Sequence, residues 1–315
     1  MNHRYTAYKK MKVSNLHNSH FTFLIVGGCF TILFGAYDVS VLDSISALIL
    51  CFFLILTIGT SHGALDHEKG KKVFKIYNIK NFSLFYFTYL ILGILIASLW
   101  FFFPALTLTL FLIVASYHFG KEDCLFPRIK SNLMFTLKGS LIIFAPLLFH
   151  FDDTINIFKI LYLKENLLIN NLTYLFENNF IAYLLLLSIL SNFFIYKMNL
   201  VSMATIFVDI IIVLFVNILY PPVIAFTIYF CFLHSIRHII SLLLEMKISP
   251  KVFIKKAAPL TLITALIFIS CTWVITLNNY SLDGAILKVI FIGLASLTFP
   301  HILLEYLLEK NEKRT

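Results

Sequence analysis

The segment YFCFLHSIRH, residues 229–238, lies inside one of the most apolar runs of the chain and carries two histidines and an arginine. His234 and His238 are four residues apart, which places them on one face of a helix, one turn above the other. Ionisable side chains are expensive at membrane depth and mark functional sites there. The segment therefore predicts a membrane-spanning helix that carries part of a binding or catalytic site.

The composition of the whole chain predicts a helical membrane protein. Of its 315 residues, 60% are hydrophobic and 13% are charged, whereas a soluble domain carries about 25% charged residues. Repeated apolar runs of roughly 17 to 25 residues are long enough to cross a bilayer as helices, and they lack the alternation of barrel strands. We therefore expect an all-α fold, a polytopic transmembrane helical bundle that forms one integral-membrane domain over residues 1–315.

Ten membrane spans can be drawn along this chain. They cover residues 21–37, 41–62, 82–103, 104–120, 133–150, 180–197, 200–219, 221–245, 257–277 and 284–308. If the N-terminus is inside, all but four of the 25 Lys and Arg residues lie in or next to the inner segments. This asymmetry predicts that both termini are cytoplasmic in a multi-pass protein of the cell (inner) membrane.

Two longer segments lie outside these spans. Residues 1–20 form a polar, basic N-terminal segment, and residues 151–179 form the long outer connection. The spacing of Ile155, Phe158 and Leu161 in that connection predicts an amphipathic helix on the membrane surface. The net charge of +9 is explained by the loops of this topology, so we expect no nucleic-acid partner.

Five histidines are predicted to occupy one layer of the bundle. His62, His118, His234, His238 and His301 lie on four spans that all run from outside to inside. At about 1.5 Å of rise per residue, they fall at similar depths in the cytoplasmic half of the membrane. Scattered structural histidines have no reason to share a depth, so the set predicts a metal site, and neutral imidazoles suit Fe, Zn, Cu or Ni.

Carboxylates follow these histidines in helical register. Asp66 follows His62 by four residues, and Glu305 follows His301 by four. Glu122 and Asp123 likewise follow the histidine at position 118. Metal-bound histidines usually donate their second N–H to a carboxylate or carbonyl, so these acids are candidates for that role. The alternative is that they cap helix ends or pair with basic residues.

Arg237 lies between the two histidines of the opening segment, but it does not share their face. A step of about 100° per residue turns its side chain away from them. We expect it to form an ion pair between helices, with Asp66 or Asp123 as partner.

Five short motifs, in this order, resemble the Brp/Blh family of membrane β-carotene 15,15′-dioxygenases. The motifs are SHGALD at 61–66, YHFG at 117–120 with Asp123, YF at 229–230, HSIRH at 234–238 and FPH at 299–301. The resemblance runs from the second span to the tenth. A lone HxxxH would be weak evidence, whereas the ordered set is specific.

The resemblance implies a non-haem iron(II) enzyme that uses O2 to cleave the central double bond of β-carotene into two molecules of retinal. By motif, the ligands would be His62, His118, His234 and His238, with His301 around them or at the substrate. The same region would hold Asp66, Asp123, Glu305, Tyr117, Tyr229 and Phe230. The lipid bilayer holds both enzyme and carotenoid in this interpretation, and a rhodopsin would be the downstream user of the retinal.

Three other functions fit parts of the pattern. A b-type haem protein for electron transfer would use pairs of histidines, but the additional ligands at the same depth would be surplus. A di-iron desaturase needs an HxxHH box, which this chain lacks. A non-enzymatic carrier of carotenoid or retinal would need the apolar site without the chemistry.

Overall fold

The apolar runs fold into helices throughout the residues that the computed structural model describes, which are 20–25, 45–124, 131–161, 167–195 and 200–312. Within these ranges there is no β-strand, as the all-α prediction requires. Residues 20–25 are helical, and the longer helices are α1 Ile45–Leu54, α2 Asp66–Ile76, α3 Ser83–Phe102, α4 Pro104–Glu122, α5 Asn132–Gly139, α6 Leu141–Phe149, α7 Phe151–Ile160, α8 Leu167–Glu177, α9 Phe180–Ile195, α10 Leu200–Leu219, α11 Pro222–Ile228, α12 Ile236–Met246, α13 Pro250–Leu277 and α14 Leu282–Glu312.

Six helical stretches among the described residues are long and apolar enough to cross a membrane. They are Ile45–Ile76, Ser83–Phe102, Asn132–Phe149, Pro222–Met246, Pro250–Leu277 and Leu282–Asn311. A seventh is obtained if α8 and α9, which are bent by 81° at their junction, count as one broken span. These helices support a membrane bundle, and they do not reach the ten spans predicted from the sequence.

The difference from ten has identifiable sources. The predicted span at 21–37 lies mostly outside the described residues. The span at 104–120 is present as helix α4, but its last turn carries His118, Lys121 and Glu122, which make it less apolar. The span at 200–219 is present as α10, of which the stretch Met203–Leu219 is apolar but short.

The split that the sequence predicted at Phe103-Pro104 is confirmed. Helix α3 ends at Phe102, and α4 begins at Pro104, where a missing backbone N–H has the least effect on a helix.

A close approach between α4 and α5 fixes the end of α4 that carries His118. A Cβ atom on Gly120 would lie 1.8 Å from the carbonyl oxygen of Phe135, and one on Gly139 would lie 1.9 Å from that of Ser116. Both positions therefore require glycine, because a side chain would push the two backbones apart.

The outer connection contains two helices, α7 and α8, instead of the single helix that the sequence predicted. Ile155, Phe158 and Leu161 are buried among protein side chains. The indole N–H of Trp100 also donates a hydrogen bond to the carbonyl oxygen of Leu161, at 3.1 Å. The apolar face expected to meet the membrane surface therefore packs onto the bundle, since a protein core and a lipid layer accept the same apolar side chains.

Arg237 forms the expected ion pair between helices, but with a residue that the sequence pattern did not single out. Its guanidinium donates to both carboxylate oxygens of Asp209 on α10 and lies 2.8 Å from Nε2 of His20. The carboxylates of Asp66 and Asp123, which were the expected partners, accept hydrogen bonds from histidines. The choice of partner depends on which helices become neighbours, which helical register does not reveal.

Candidate metal centre

Two π-helical turns adjoin the histidine-bearing segments. The turn Ile55–Gly59 leads into a 3₁₀ turn, Thr60–Gly63, that carries His62. The second turn, Tyr229–Ser235, contains His234 and runs directly into α12. Such turns insert an extra residue into the helical repeat and occur frequently at functional sites. They change the direction in which the residues around them point, which a regular 100° step does not predict.

All five predicted histidines meet at one place in the bundle. Ring centroids of His234, His238 and His301 lie 5.5, 5.5 and 5.6 Å from that of His62. The ring of His118 lies 5.2 Å from that of His234 and 5.3 Å from that of His301. One ring nitrogen each from His62, His118 and His301 lies within 4.8 Å of the others. We call these five residues the histidine cluster.

Three members of the histidine cluster have a buried ring nitrogen without a hydrogen-bond partner. These atoms are the Nε2 nitrogens of His234, His238 and His301. Leaving a buried polar atom unsatisfied costs about 1–3 kcal/mol, so three such atoms on neighbouring rings of one cluster require an explanation. A bound transition-metal ion would satisfy them, because imidazole nitrogens are its usual ligands. The donor set therefore fits a metal ion.

The opposite nitrogen of each of these three rings faces a carboxylate. Nδ1 of His301 lies 2.8 Å from an oxygen of Asp66, and Nδ1 of His234 lies 3.2 Å from Asp123. Nδ1 of the third histidine, at position 238, lies 3.3 Å from Glu122. An Nδ1–H that donates to a carboxylate leaves the Nε2 lone pair free for a metal and fixes the ring orientation.

The carboxylates lie against the cluster as expected, but Asp66, Glu122 and Asp123 accept from different histidines from those predicted. Helical register had paired Asp66 with His62, whereas Asp66 accepts from His301 on another helix. His62 instead places its Nδ1 against the carbonyl oxygen of Gly59 and 3.2 Å from the hydroxyl of Ser235. The prediction failed in the pairing because side chains four residues apart share a face without necessarily pointing at each other.

Glu305 occupies a position between the cluster and a buried lysine. Its carboxylate forms an ion pair with the ammonium of Lys69, and both side chains are largely buried. One carboxylate oxygen also lies within 4.8 Å of ring nitrogens of His238 and His301. Lys69 was not predicted, because a lysine just beyond an apolar run is usually read as a solvated loop residue.

The three predicted aromatic residues have different environments. Tyr229 donates its hydroxyl hydrogen to Asp123, the carboxylate that also binds a cluster histidine. The ring centroid of Phe230 lies 5.5 Å from that of His62. Tyr117 instead packs its ring against Phe135 on α5, at 6.4 Å. The structure thus places the ring of Tyr117 against α5, and adjacent residues on a helix point about 100° apart.

A tyrosine that the sequence did not single out completes the surroundings of Asp66. The hydroxyl of Tyr89, on α3, donates to Asp66 at 3.0 Å. Its spacing along α3 gave no signal, since Tyr89 is one of 15 tyrosines and has no motif around it.

An apolar cavity of about 370 Å³ lies directly beside the cluster. His62, His118 and His301 form part of its wall. Most of the remaining wall is hydrophobic and includes Phe111, Phe119, Ile142, Phe158, Phe226 and Phe230. The volume falls in the range of roughly 300–1,000 Å³ that is typical of small-molecule sites. The arrangement presents a group of nitrogen ligands to an apolar molecule.

Comparison with known proteins identifies the family of the chain. The family model described as "Beta-carotene 15,15'-dioxygenase" matches residues 53–309. A beta-carotene 15,15'-dioxygenase from the uncultured marine bacterium 66A03 is 28% identical over 283 residues, covering 83% of this chain and 94% of the relative. No solved structure matches the chain. Because the matched region covers most of the chain and contains the whole histidine cluster, the chain belongs to the β-carotene 15,15′-dioxygenase family and is an oxidoreductase of the dioxygenase class.

Proposed function

We propose that this enzyme uses O2 to cleave the central 15,15′ double bond of β-carotene, giving two molecules of retinal, at an iron(II) ion held by the histidine cluster. Family membership supports carotenoid cleavage and retinal biosynthesis. The observation that carries the iron site is the group of three buried Nε2 atoms without partners beside an apolar cavity.

The proposed ligands are the four histidines implied by the motifs, His62, His118, His234 and His238, together with His301. We add His301 because its Nε2 is buried without a partner and one of its ring nitrogens lies within 4.8 Å of those of His62 and His118. Neutral imidazoles suit iron, and when bound the iron would supply the redox chemistry that O2 needs in order to react with a hydrocarbon.

The residues around the ligands fix the position of the imidazole protons and the orientation of the rings. Asp66, Glu122 and Asp123 each accept the Nδ1–H of one histidine, which keeps Nε2 deprotonated and directed inward. Three carboxylates also balance positive charge in a region of low dielectric. The first task of the protein is therefore to preorganise the nitrogen atoms.

The second task is to position a substrate that has no polar group. β-Carotene is a hydrocarbon, so neither an acid nor a base has a site to act on. Its central bond must be placed by shape alone, and correct placement contributes strongly to rate. Phe119 and Phe230 lie both on the cavity wall and against cluster histidines, so we assign them the role of holding the polyene against the site.

We further propose the membrane arrangement predicted from the sequence, with ten spans, both termini in the cytoplasm, and insertion in the cell (inner) membrane. The six long apolar helices support the bundle, and the distribution of Lys and Arg supports the orientation. Because the carotenoid dissolves in the same bilayer, enzyme and substrate share one phase. A rhodopsin that binds retinal is the downstream user we expect.

The haem alternative fits the cluster poorly. A haem needs two axial imidazoles and a plane between them that is free for the macrocycle. Here five imidazoles approach one another, with neighbouring centroids 5.2 to 5.7 Å apart, so further rings would occupy that plane. A carrier of carotenoid or retinal would use the cavity but would have no use for converging imidazoles.

Expression in cells that make β-carotene tests this proposal. We expect the pigment to bleach and retinal to accumulate with the natural chain and with His150→Ala, whose histidine lies outside the cluster. We expect unchanged pigment with His118→Ala. Unchanged pigment with the natural chain, once the protein is shown to be folded in the membrane, would leave the carrier as the better interpretation.

A further inference from the structure

We propose that the cavity opens sideways into the hydrocarbon layer, between α3 and α13, and that the carotenoid enters and leaves through this opening. We call Tyr86 and Leu90 of α3 and Ile263 and Ile267 of α13 the lateral portal. The identity of the passing molecule rests on the proposed function, whereas the opening itself rests on the structure.

The first observation is that the same four side chains both line the cavity and lie on the outside of the bundle. Tyr86, Leu90, Ile263 and Ile267 belong to the cavity wall, and their exposed fractions are 46%, 59%, 53% and 51%. A side chain that faces a cavity and the exterior at once marks the rim of an opening.

Another part of the wall, formed by α7, has the opposite character. Ile157 and Phe158 also line the cavity, and both are buried. The cavity is therefore closed where α7 covers it and open where α3 and α13 flank it. Among these parts of the wall, the cavity opens on one side of the bundle only.

Contacts with α14 locate the portal along the two flanking helices. A Cβ atom on Gly93 of α3 would lie 3.2 Å from the carbonyl oxygen of Ser296, and one on Gly293 would meet the ring of Phe268 of α13 at 2.4 Å. The two helices are thus seated on α14 at one level. The portal begins immediately beside that level, since Leu90 precedes Gly93 by three residues and Ile267 precedes Phe268 by one.

The floor of the portal leads to the histidine cluster within one helical turn. Leu297 and Thr298 of α14 line the cavity and are half-buried, and His301, one turn further along, is 3% exposed. Exposure therefore falls steadily from rim to cluster. A rod-shaped molecule that lay along this path would place an interior bond near the ligands while one end remained in the lipid.

The chemistry of the rim selects an apolar passenger. Three of the four rim side chains are aliphatic. The fourth is a tyrosine, whose side chain has an apolar ring and a polar hydroxyl and is therefore suited to the boundary between lipid and water. In each of the flanking helices α3 and α13, only 11% of the most apolar stretch is buried inside the protein. This low burial is expected of helices that face lipid. A long hydrocarbon polyene dissolved in the bilayer fits these conditions.

Pairs of neighbouring substitutions test the portal. Ile263→Trp and Leu90→Trp would fill the opening, whereas Leu262→Trp and Ile91→Trp add the same bulk at exposed positions outside the cavity wall. With protein in lipid nanodiscs, we expect kcat/KM for β-carotene to fall at least tenfold in the two portal variants and to stay unchanged in the two controls. The iron content should be equal in all four. If a portal variant does not reach the membrane, Leu90→Phe is measured in its place.

A second measurement keeps the portal testable without catalysis. In a background with Cys29→Ser and Cys271→Ser, Thr298→Cys places a thiol on the floor of the portal, and a membrane-soluble maleimide reports its accessibility. We expect labelling to slow severalfold when Ile263→Trp is added, and not when Leu262→Trp is added. Equal labelling rates with Ile263→Trp and with Leu262→Trp would overturn the portal, and so would equal kcat/KM values for each portal variant and its neighbouring control in an active enzyme. A natural chain without cleavage activity would contradict the proposed function and leave the labelling result to decide the portal.

Discussion

Nδ1 of His301 lies 2.8 Å from a carboxylate oxygen of Asp66, although 235 positions separate the two residues in the chain. The same carboxylate accepts a hydrogen bond from the hydroxyl of Tyr89. One buried aspartate therefore joins the start of α2 to α3 and α14. Because it also fixes the ring of a proposed ligand, it ties the stability of the bundle to the geometry of the metal site.

Asp66→Asn should weaken iron binding while leaving the fold intact. The amide keeps the shape and one acceptor but loses the negative charge that favours a hydrogen on Nδ1. Partners of this kind are typically worth 10- to 100-fold in metal affinity or activity. Competition with a coloured chelator measures the affinity. Asp153→Asn, in a side chain that is 60% exposed beside His150, is the matched control, and equal affinities in both variants would remove Asp66 from this role.

Substitution of each proposed ligand should abolish both iron binding and retinal formation. The residues are His62, His118, His234, His238 and His301, each changed to alanine. His150→Ala should retain both properties. Metal analysis and product chromatography on the same preparations provide the test, and a variant that keeps full activity would lose its place as a ligand. The result for His301 decides between the ligand role proposed from the structure and the peripheral role implied by the motifs.

Gly120→Ala should destabilise the protein through the contact between α4 and α5. The new methyl would lie 1.8 Å from the carbonyl oxygen of Phe135, and overpacking of a tight contact typically costs about 1–3 kcal/mol. Gly284→Ala is the control, since its methyl meets only the Ser281 hydroxyl at 3.1 Å, which can rotate away. Unfolding in mixed micelles reports both, and a stability of Gly120→Ala equal to that of the control would contradict the packing described.

Arg237→Ala should destabilise the bundle strongly because it leaves the Asp209 carboxylate without its guanidinium. Breaking a buried ion pair from one side typically costs about 3–5 kcal/mol, whereas replacing both partners by apolar residues is often neutral. The double variant Arg237→Met with Asp209→Leu should therefore recover most of the loss. Lys72→Ala, which breaks an exposed pair with Glu245, should cost less than about 1 kcal/mol. A double variant as unstable as Arg237→Ala would argue against this explanation.

The histidine cluster was predictable because depth in a membrane can be counted along each span. A fixed rise per residue converts position in a helix into height, so His62, His118 and His301 could be placed in one layer without knowing which helices are neighbours. The convergence of these rings confirms that inference. The same counting said nothing about rotation, and it therefore could not foresee that the ring of Tyr117, next to a cluster histidine, packs against Phe135.

Partners of the cluster were beyond the reach of sequence patterns for a related reason. Helical register identifies neighbours within one helix, whereas Asp66 and Asp123 serve histidines on other helices. The π-helical turns at Ile55–Gly59 and Tyr229–Ser235 change the helical phase beside His62 and His234. No residue type in either turn signals that change, so the sequence did not predict which side chains would face each other around the cluster.

Product analysis with the purified enzyme tests the central claim most directly. The metal-free protein in nanodiscs is incubated with β-carotene and O2, alone or after addition of iron(II) or zinc(II), and the products are separated by chromatography. The proposal predicts that only iron restores activity and that two molecules of retinal appear for each β-carotene consumed. Cleavage by the metal-free protein, or products of unequal chain length, would contradict iron-dependent central cleavage at the histidine cluster.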